Sequence, residues 1–128
     1  MAKQKQDPIC SAYEFTIRRQ AVGLDNATMI ELTGFSVSSL TKWSSGAMPV
    51  SFKALAAIER VEIAFENEVQ RLVDQMEEII SKDAESKIIA YDKNWEFGSK
   101  TYEIVAARAN RILSDAVGRN IGIMPPSE

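Results

Sequence analysis

Gly23-Leu24-Asp25-Asn26-Ala27-Thr28-Met29-Ile30-Glu31-Leu32-Thr33-Gly34-Phe35-Ser36-Val37-Ser38-Ser39-Leu40-Thr41-Lys42-Trp43-Ser44-Ser45-Gly46 carries glycines at its two ends and near its middle. The intervals suit two short helices. Asp25 or Asn26 can cap the first, roughly Asn26 to Thr33, because a short oxygen-bearing side chain accepts from the free amides of a first turn. Gly34 supplies the left-handed backbone that a tight turn needs. Ser36 then caps a second helix over Val37 to Ser45, with Leu40 and Trp43 on its inner side at i, i+3 spacing. Leu24, Met29 and Phe35 join those two residues in a small core that fixes a steep crossing angle. The outward positions of the second helix are Val37, Ser38, Thr41, Lys42 and Ser45, and no acid interrupts them. Such a face can enter a major groove without repelling phosphate. Hydroxyls there can hydrogen-bond to base edges, and the Val37 methyls can meet a thymine methyl.

Upstream, Ser11-Ala12-Tyr13-Glu14 has the spacing of a capping box and predicts a helix to about Val22, ending at Gly23. Downstream, Met48-Pro49-Val50 is a turn and Ser51 caps a long helix reaching about Ser81. Leu55, Ile58, Phe65, Val69, Leu72, Met76 and Ile79 recur along it at heptad-like spacing, widened by Ile63, Val73 and Ile80. A helix of that length, roughly 45 Å, cannot be covered by three short ones. Its distal half needs the C-terminal segment, a second copy of the chain, or both. Lys87-Ile88-Ile89-Ala90-Tyr91 is the only convincing strand signal, and its simplest pairing is antiparallel with its twin across a dimer axis. Trp95 and Phe97 read as anchors of a loop. Ser99 then caps a last helix to about Val117, with Tyr102, Val105, Ala106, Ala109, Ile112, Leu113 and Ala116 on one face, and Gly118 ends it. The expected organisation is a DNA-binding helical domain at 11–60, a dimerisation segment at 61–118, and flexible tails at 1–10 and 119–128. The fold class expected is mainly α with one short β-strand.

The composition excludes several chemistries. The sequence holds no histidine and a single cysteine, Cys10, so the usual zinc sites, an internal disulfide and histidine-dependent triads are out of reach. No phosphate-cradling glycine loop or metal-ligand grouping is present, so neither an enzyme nor a cofactor or metal is expected. No apolar run approaches the roughly 18 residues of a membrane span, and the basic start Met1 to Gln6 runs into polar residues, so a cytoplasmic protein is expected. The net charge of −3 and pI near 5.1 argue against nucleic acid when taken as an average. The distribution reverses that reading: residues 1–53 carry a net +2, 54–85 a net −6 and 86–128 a net +1. What touches DNA is a face.

The segment from Gly23 to Gly46 resembles, without a gap, the helix-turn-helix pattern of the Cro and lambda-repressor family. It has the Gly-Leu before the second helix, the turn glycine, the hydrophobic-Ser pair after it and the closing Trp-x-x-Gly. With Glu14-Phe15, Ala47 to Val50, Ile88 to Tyr91 and Val105-Ala106-Ala107, the chain is also similar to small phage and bacterial regulators with a C-terminal dimerisation segment, among them regulators associated with anti-CRISPR genes. The resemblance implies Asn26 and Ala27 near phosphate, Val37, Ser38 and Lys42 at base edges, and Ser36, Ser39 and Ser45 at the sugar-phosphate rim. This chain departs from the family in having Asn26 where glutamine is usual and Ser44 where glutamate often follows the tryptophan. No arginine or glutamine stands on the outward face, so bidentate base readout, at about 1–3 kcal/mol per pair, is missing there.

These observations point to a homodimeric regulator of transcription that binds double-stranded DNA at an inverted repeat, a repressor by promoter occlusion. Phe65, Val69, Leu72, Met76, Ile79 and Ile89 are the expected dimer contacts. Arg18, Arg19 and Lys53 are candidates for added phosphate contacts, and Lys3 and Lys5 for a basic arm. The competing reading is a protein-interaction module, an antitoxin or adaptor that keeps the helical scaffold and binds through its acidic helix.

Overall fold

Local chemistry sets where each helix begins. The computed structural model describes residues 10–82 and 87–126, so the expected arm at Lys3 and Lys5 lies outside the described residues. α1 (Ala12–Ala21) starts where Ser11 accepts from the Glu14 amide at 3.0 Å. Only that half of the expected capping box forms, because the Glu14 carboxylate turns toward Arg18, 3.6 Å away. α2 (Asn26–Thr33) starts at Asp25, which accepts from the Thr28 amide at 2.8 Å. That bond holds the Asp25 carboxyl below its ordinary range. α3 (Val37–Ser45) starts at Ser36, which accepts from the Ser39 amide at 3.2 Å. α4 (Phe52–Lys82) starts where Ser51 accepts from the Ala54 amide at 3.1 Å. All four beginnings fall where the sequence placed them.

α5 (Ser99–Val117) differs at its start. Ser99 makes no cap; Gly98, at φ +91°, stands in that position without a side-chain bond. Thr101 does the local work instead. Its hydroxyl donates toward the Gly98 and Phe97 carbonyls at 2.7 and 2.9 Å and accepts from the Trp95 indole at 2.5 Å. Trp95 also meets Phe97 and Tyr102 edge-on, at 5.2 and 5.5 Å between ring centres. The loop aromatics are therefore anchors, as the sequence suggested.

The distal half of α4 is covered by α5. Tyr102, Val105, Ala106, Ala109 and Leu113 are all at most 2 % exposed and lie against Phe65, Val69, Leu72, Val73 and Met76 in one core. Each such large apolar side chain contributes about 1.5–3 kcal/mol by leaving water. This corrects four of the expected dimer contacts: Phe65, Val69, Leu72 and Met76 are interior residues of one chain, whereas Ile79 is half-buried and Ile89 is exposed, so the correction does not reach them. Polar groups lock the same pair of helices. The Tyr102 hydroxyl donates to Glu68 at 2.7 Å, and Arg71 donates to both Glu68 oxygens at 2.6 and 2.7 Å and to Asp92 at 3.3 Å. Burial pushes the Tyr102 hydroxyl well above its ordinary pKa, and the Arg71 hydrogen bond holds Glu68 below its own.

The strand signal at 87–91 yields a shorter element than expected, β1 (Ile88–Ile89), paired in parallel with β2 (Ile123–Met124). Ile88 stands opposite Ile123 and Ile89 opposite Met124. The expected antiparallel pairing with a twin is thus replaced on this edge by pairing within the chain. A parallel pair needs a long crossover, and α5 supplies it. The expected flexible C-terminal tail is corrected accordingly. Ile121 is buried, its amide donates to Ser114 at 3.0 Å, and residues 123–124 sit in the sheet. At the other end Cys10, assigned by sequence to a flexible tail, is buried against the core.

The core also runs across the boundary expected at residue 60. Gly23, at φ +69°, lies so close to α5 that a β-carbon there would sit 2.6 Å from Ile104 Cδ1 and 3.0 Å from the Lys100 carbonyl oxygen. The α1–α2 turn therefore rests on α5, while α1 and α2 themselves pack on α4. The fold is mainly α with a short β element, and among the described residues no helix is long and apolar enough to cross a membrane.

Candidate nucleic-acid interface

Between α2 and α3 the chain reverses at Gly34, whose φ of +72° is open to glycine at no steric cost. Its amide donates to the Ile30 carbonyl at 2.7 Å. Thr33, buried, donates to Met29 O at 2.7 Å and accepts from the Phe35 amide at 3.1 Å, so the turn satisfies its own polar groups. Trp43 then wedges α3 in place. Its ring meets Phe35 at 4.9 Å and Phe15 of α1 at 6.0 Å, both edge-on. Leu40 and Trp43 are 2 % and 1 % exposed. The indole nitrogen of Trp43 finds no partner among the described residues, so its role there is packing.

With Leu40 and Trp43 turned in, the opposite side of α3 is turned out. Val37 is 57 % exposed, Ser38, Thr41, Lys42 and Ser45 are exposed, and Ser39 is half-buried. Thr41 donates to Val37 O at 3.0 Å, so its oxygen remains able to accept from an incoming donor, whereas Ser45 donates to Lys42 O at 3.3 Å and already accepts from the Ala47 amide at 3.3 Å. Lys42 forms no ion pair among the described residues, whereas Lys82 and Arg18, Arg60, Arg71 and Arg108 all do. α3 packs chiefly on α1 and α2, away from the acidic stretch of α4. Asn26 and Ala27, at the start of α2, are exposed. Asn26 and α3 together line a shallow hollow of about 390 Å³ with Leu40, Thr41, Ser44 and Ser45 as its other walls. The structure thus brings the expected residues onto one side of the molecule: Asn26 with Thr41 and Ser45 around the hollow, and Val37, Ser38 and Lys42 on the exposed face of α3.

The three added cations fare differently. Arg18 is taken by Glu62, with Nε donating to Oε2 at 2.9 Å and Nη2 in close contact with Oε1, which leaves it no phosphate role. Lys53 lies 5.3 Å above the Phe35 ring, on the α3 side of the molecule. Arg19 is half-buried over Phe15 and donates to Asn26 Oδ1 at 2.5 Å. Sequence reasoning missed that contact and missed Ser44 as a wall of the hollow. The contact has no helical-spacing signal, since Arg19 and Asn26 lie on different helices, whereas Ser44 could have been found from its place three and four residues beyond Thr41 and Leu40 on α3.

Comparison with known protein families and with characterised proteins returns no match for this chain.

Proposed function

We propose that this protein binds double-stranded DNA as a homodimeric regulator of transcription, repressing by occupying a promoter. The observation that carries the reading is the exposed face of α3, where Val37, Ser38, Thr41, Lys42 and Ser45 stand out with no acid among them in a chain of net charge −3. An acidic protein that keeps one projecting helix free of carboxylates has a surface suited to phosphate and base edges. With no arginine or glutamine on that face, sequence discrimination rests more on shape, bridging water and the spacing of two copies. Two recognition helices on an inverted repeat would stand about 34 Å apart. Since α5 covers the inner stripe of α4, the second copy would dock on apolar surface that remains outside it, namely Ile79, Ile89, Ile123 and Met124. The reading needs no cofactor, metal or catalytic group, and it places the protein in the cytoplasm.

A second reading has one observation in its favour. Ile63 is 64 % exposed on α4 within a ring of Glu59, Glu62, Glu66 and Asn67, which suits a basic protein partner. Selection of bound fragments from random duplex DNA separates the two. Recovery of a palindrome supports the dimeric regulator. Recovery of nothing above background would reject it in favour of the interaction module.

A further inference from the structure

Arg19 is placed unlike the other arginine of α1. Arg18 is matched by two carboxylates, whereas Arg19 forms no ion pair among the described residues. Its guanidinium lies 5.5 Å from the Phe15 ring centre, and its Nε is buried with no hydrogen-bond partner. Burial lowers its pKa, the mark of a cation that has lost water without gaining a full counter-charge. Its Nη2 donates to Asn26 Oδ1 at 2.5 Å and, more weakly, to Leu24 O at 3.4 Å.

We propose that Arg19 is a positioning residue that pins the Asn26 amide with its Nδ2 outward, as a donor to a DNA phosphate seated in the hollow of Asn26, Leu40, Thr41, Ser44 and Ser45. The inference rests on the DNA-binding reading above and names the machinery of its phosphate contact. A guanidinium has only donors, so the amide atom facing it must be the oxygen, and both Nδ2 hydrogens must point elsewhere. An exposed asparagine left alone would sample several rotamers and both amide orientations, whereas the bond from Arg19 to Oδ1 favours one of them. The walls of the hollow hold no carboxylate, and while Thr41 and Ser45 spend their protons on backbone carbonyls, the Ser44 hydroxyl makes no hydrogen bond among the described residues and can donate to an anion beside the Asn26 amide. The nearby Asp25 carboxylate is engaged with the Thr28 amide.

The test uses the full chain and a mixed-sequence duplex of about 30 base pairs at low salt, because a phosphate contact carries no sequence information. Binding is read by anisotropy, and thermal unfolding is recorded for each variant. Asn26→Ala and Arg19→Met should each weaken binding by about tenfold, as expected for a hydrogen bond to a charged group. The double variant should bind no more weakly than Asn26→Ala alone, since Arg19 acts through Asn26. Asn26→Asp is the sharper arm. The introduced carboxylate keeps the contact with Arg19, so Tm should hold or rise, yet it turns an acceptor toward phosphate, and binding should fall further than with alanine. Parent-like binding by Asn26→Asp would overturn the proposal. So would an Arg19→Met loss that persists in full in the Asn26→Ala background, which would make Arg19 a direct contact. A parent chain that binds no duplex at low salt would remove the DNA reading itself, whereas additive losses in a binding-competent parent would remove only the positioning role.

Discussion

Gly23 and Gly34 offer a matched pair of substitutions that reads out whether the α1–α2 turn rests on α5. Both sit in the left-handed region, at φ +69° and +72°. Replacing either by alanine therefore carries the same backbone penalty, about 1–2 kcal/mol. Their surroundings differ completely. A β-carbon at Gly34 meets nothing within 4 Å, whereas one at Gly23 would lie 2.6 Å from Ile104 Cδ1 and 3.0 Å from the Lys100 carbonyl oxygen. The Ile104 methyl can swing aside, but the Lys100 carbonyl belongs to the backbone of α5 and cannot. Overpacking of that kind costs about 1–3 kcal/mol more. Gly34→Ala should thus lose about 1–2 kcal/mol, and Gly23→Ala about 2–5 kcal/mol with both terms present. Urea unfolding followed by circular dichroism, with the m-value checked for constancy, measures both. Equal losses would refute the docking of the α1–α2 turn on α5.

Ser38→Ala combined with Lys42→Ala removes two groups from the exposed face of α3 without touching the core, so duplex affinity should drop at least about tenfold while Tm stays within a few degrees. Parent-like affinity in gel retardation would show that this face does not meet DNA. Leu72→Asp places a carboxylate in the core that α4 shares with α5, and loss of cooperative unfolding is expected, not the mere dissociation of a dimer. A well-folded monomer in sedimentation would return Leu72 to an intermolecular surface. Acid should weaken the fold. Glu68 and Asp25 are held below their ordinary values of 4.5 and 3.8, chiefly by the Arg71 hydrogen bond and the Thr28 amide respectively. Their contribution is present above those ordinary values and disappears as pH falls through the lower folded-state ones. Tm recorded across this acid range should decline, and Glu68→Gln should flatten the decline; an unchanged profile in that variant would show that the network around Tyr102 adds nothing.

How much was legible in the sequence follows from the range of each interaction. Ser11, Asp25, Ser36 and Ser51 announce helix starts because a cap bond spans only three residues, and Gly34 and Gly46 mark stops because their backbone conformation is local. Inner and outer sides of α3 were equally plain, since Leu40 and Trp43 fix the helical phase. The apolar stripe of α4 told that Phe65, Val69, Leu72 and Met76 need cover, but a stripe does not say which element provides it, and α5 does. β2 left no signal: two residues beside glycine and proline become a strand only because α5 returns the chain beside Ile88. Ser99 looked like a cap, yet Thr101 captured the local hydrogen bonds through Trp95, a contact set by packing. The pairing of Arg19 with Asn26 joins two helices across a turn, beyond the reach of any spacing rule.

The most direct measurement of the central claim is the affinity of the full chain for duplex DNA between about 50 and 200 mM salt. If the carboxylate-free side of α3 and the hollow beside Asn26 take up phosphates, log affinity should fall linearly and steeply with log salt as counterions are released. Absence of retardation at every salt concentration, or an affinity indifferent to salt, would contradict the account.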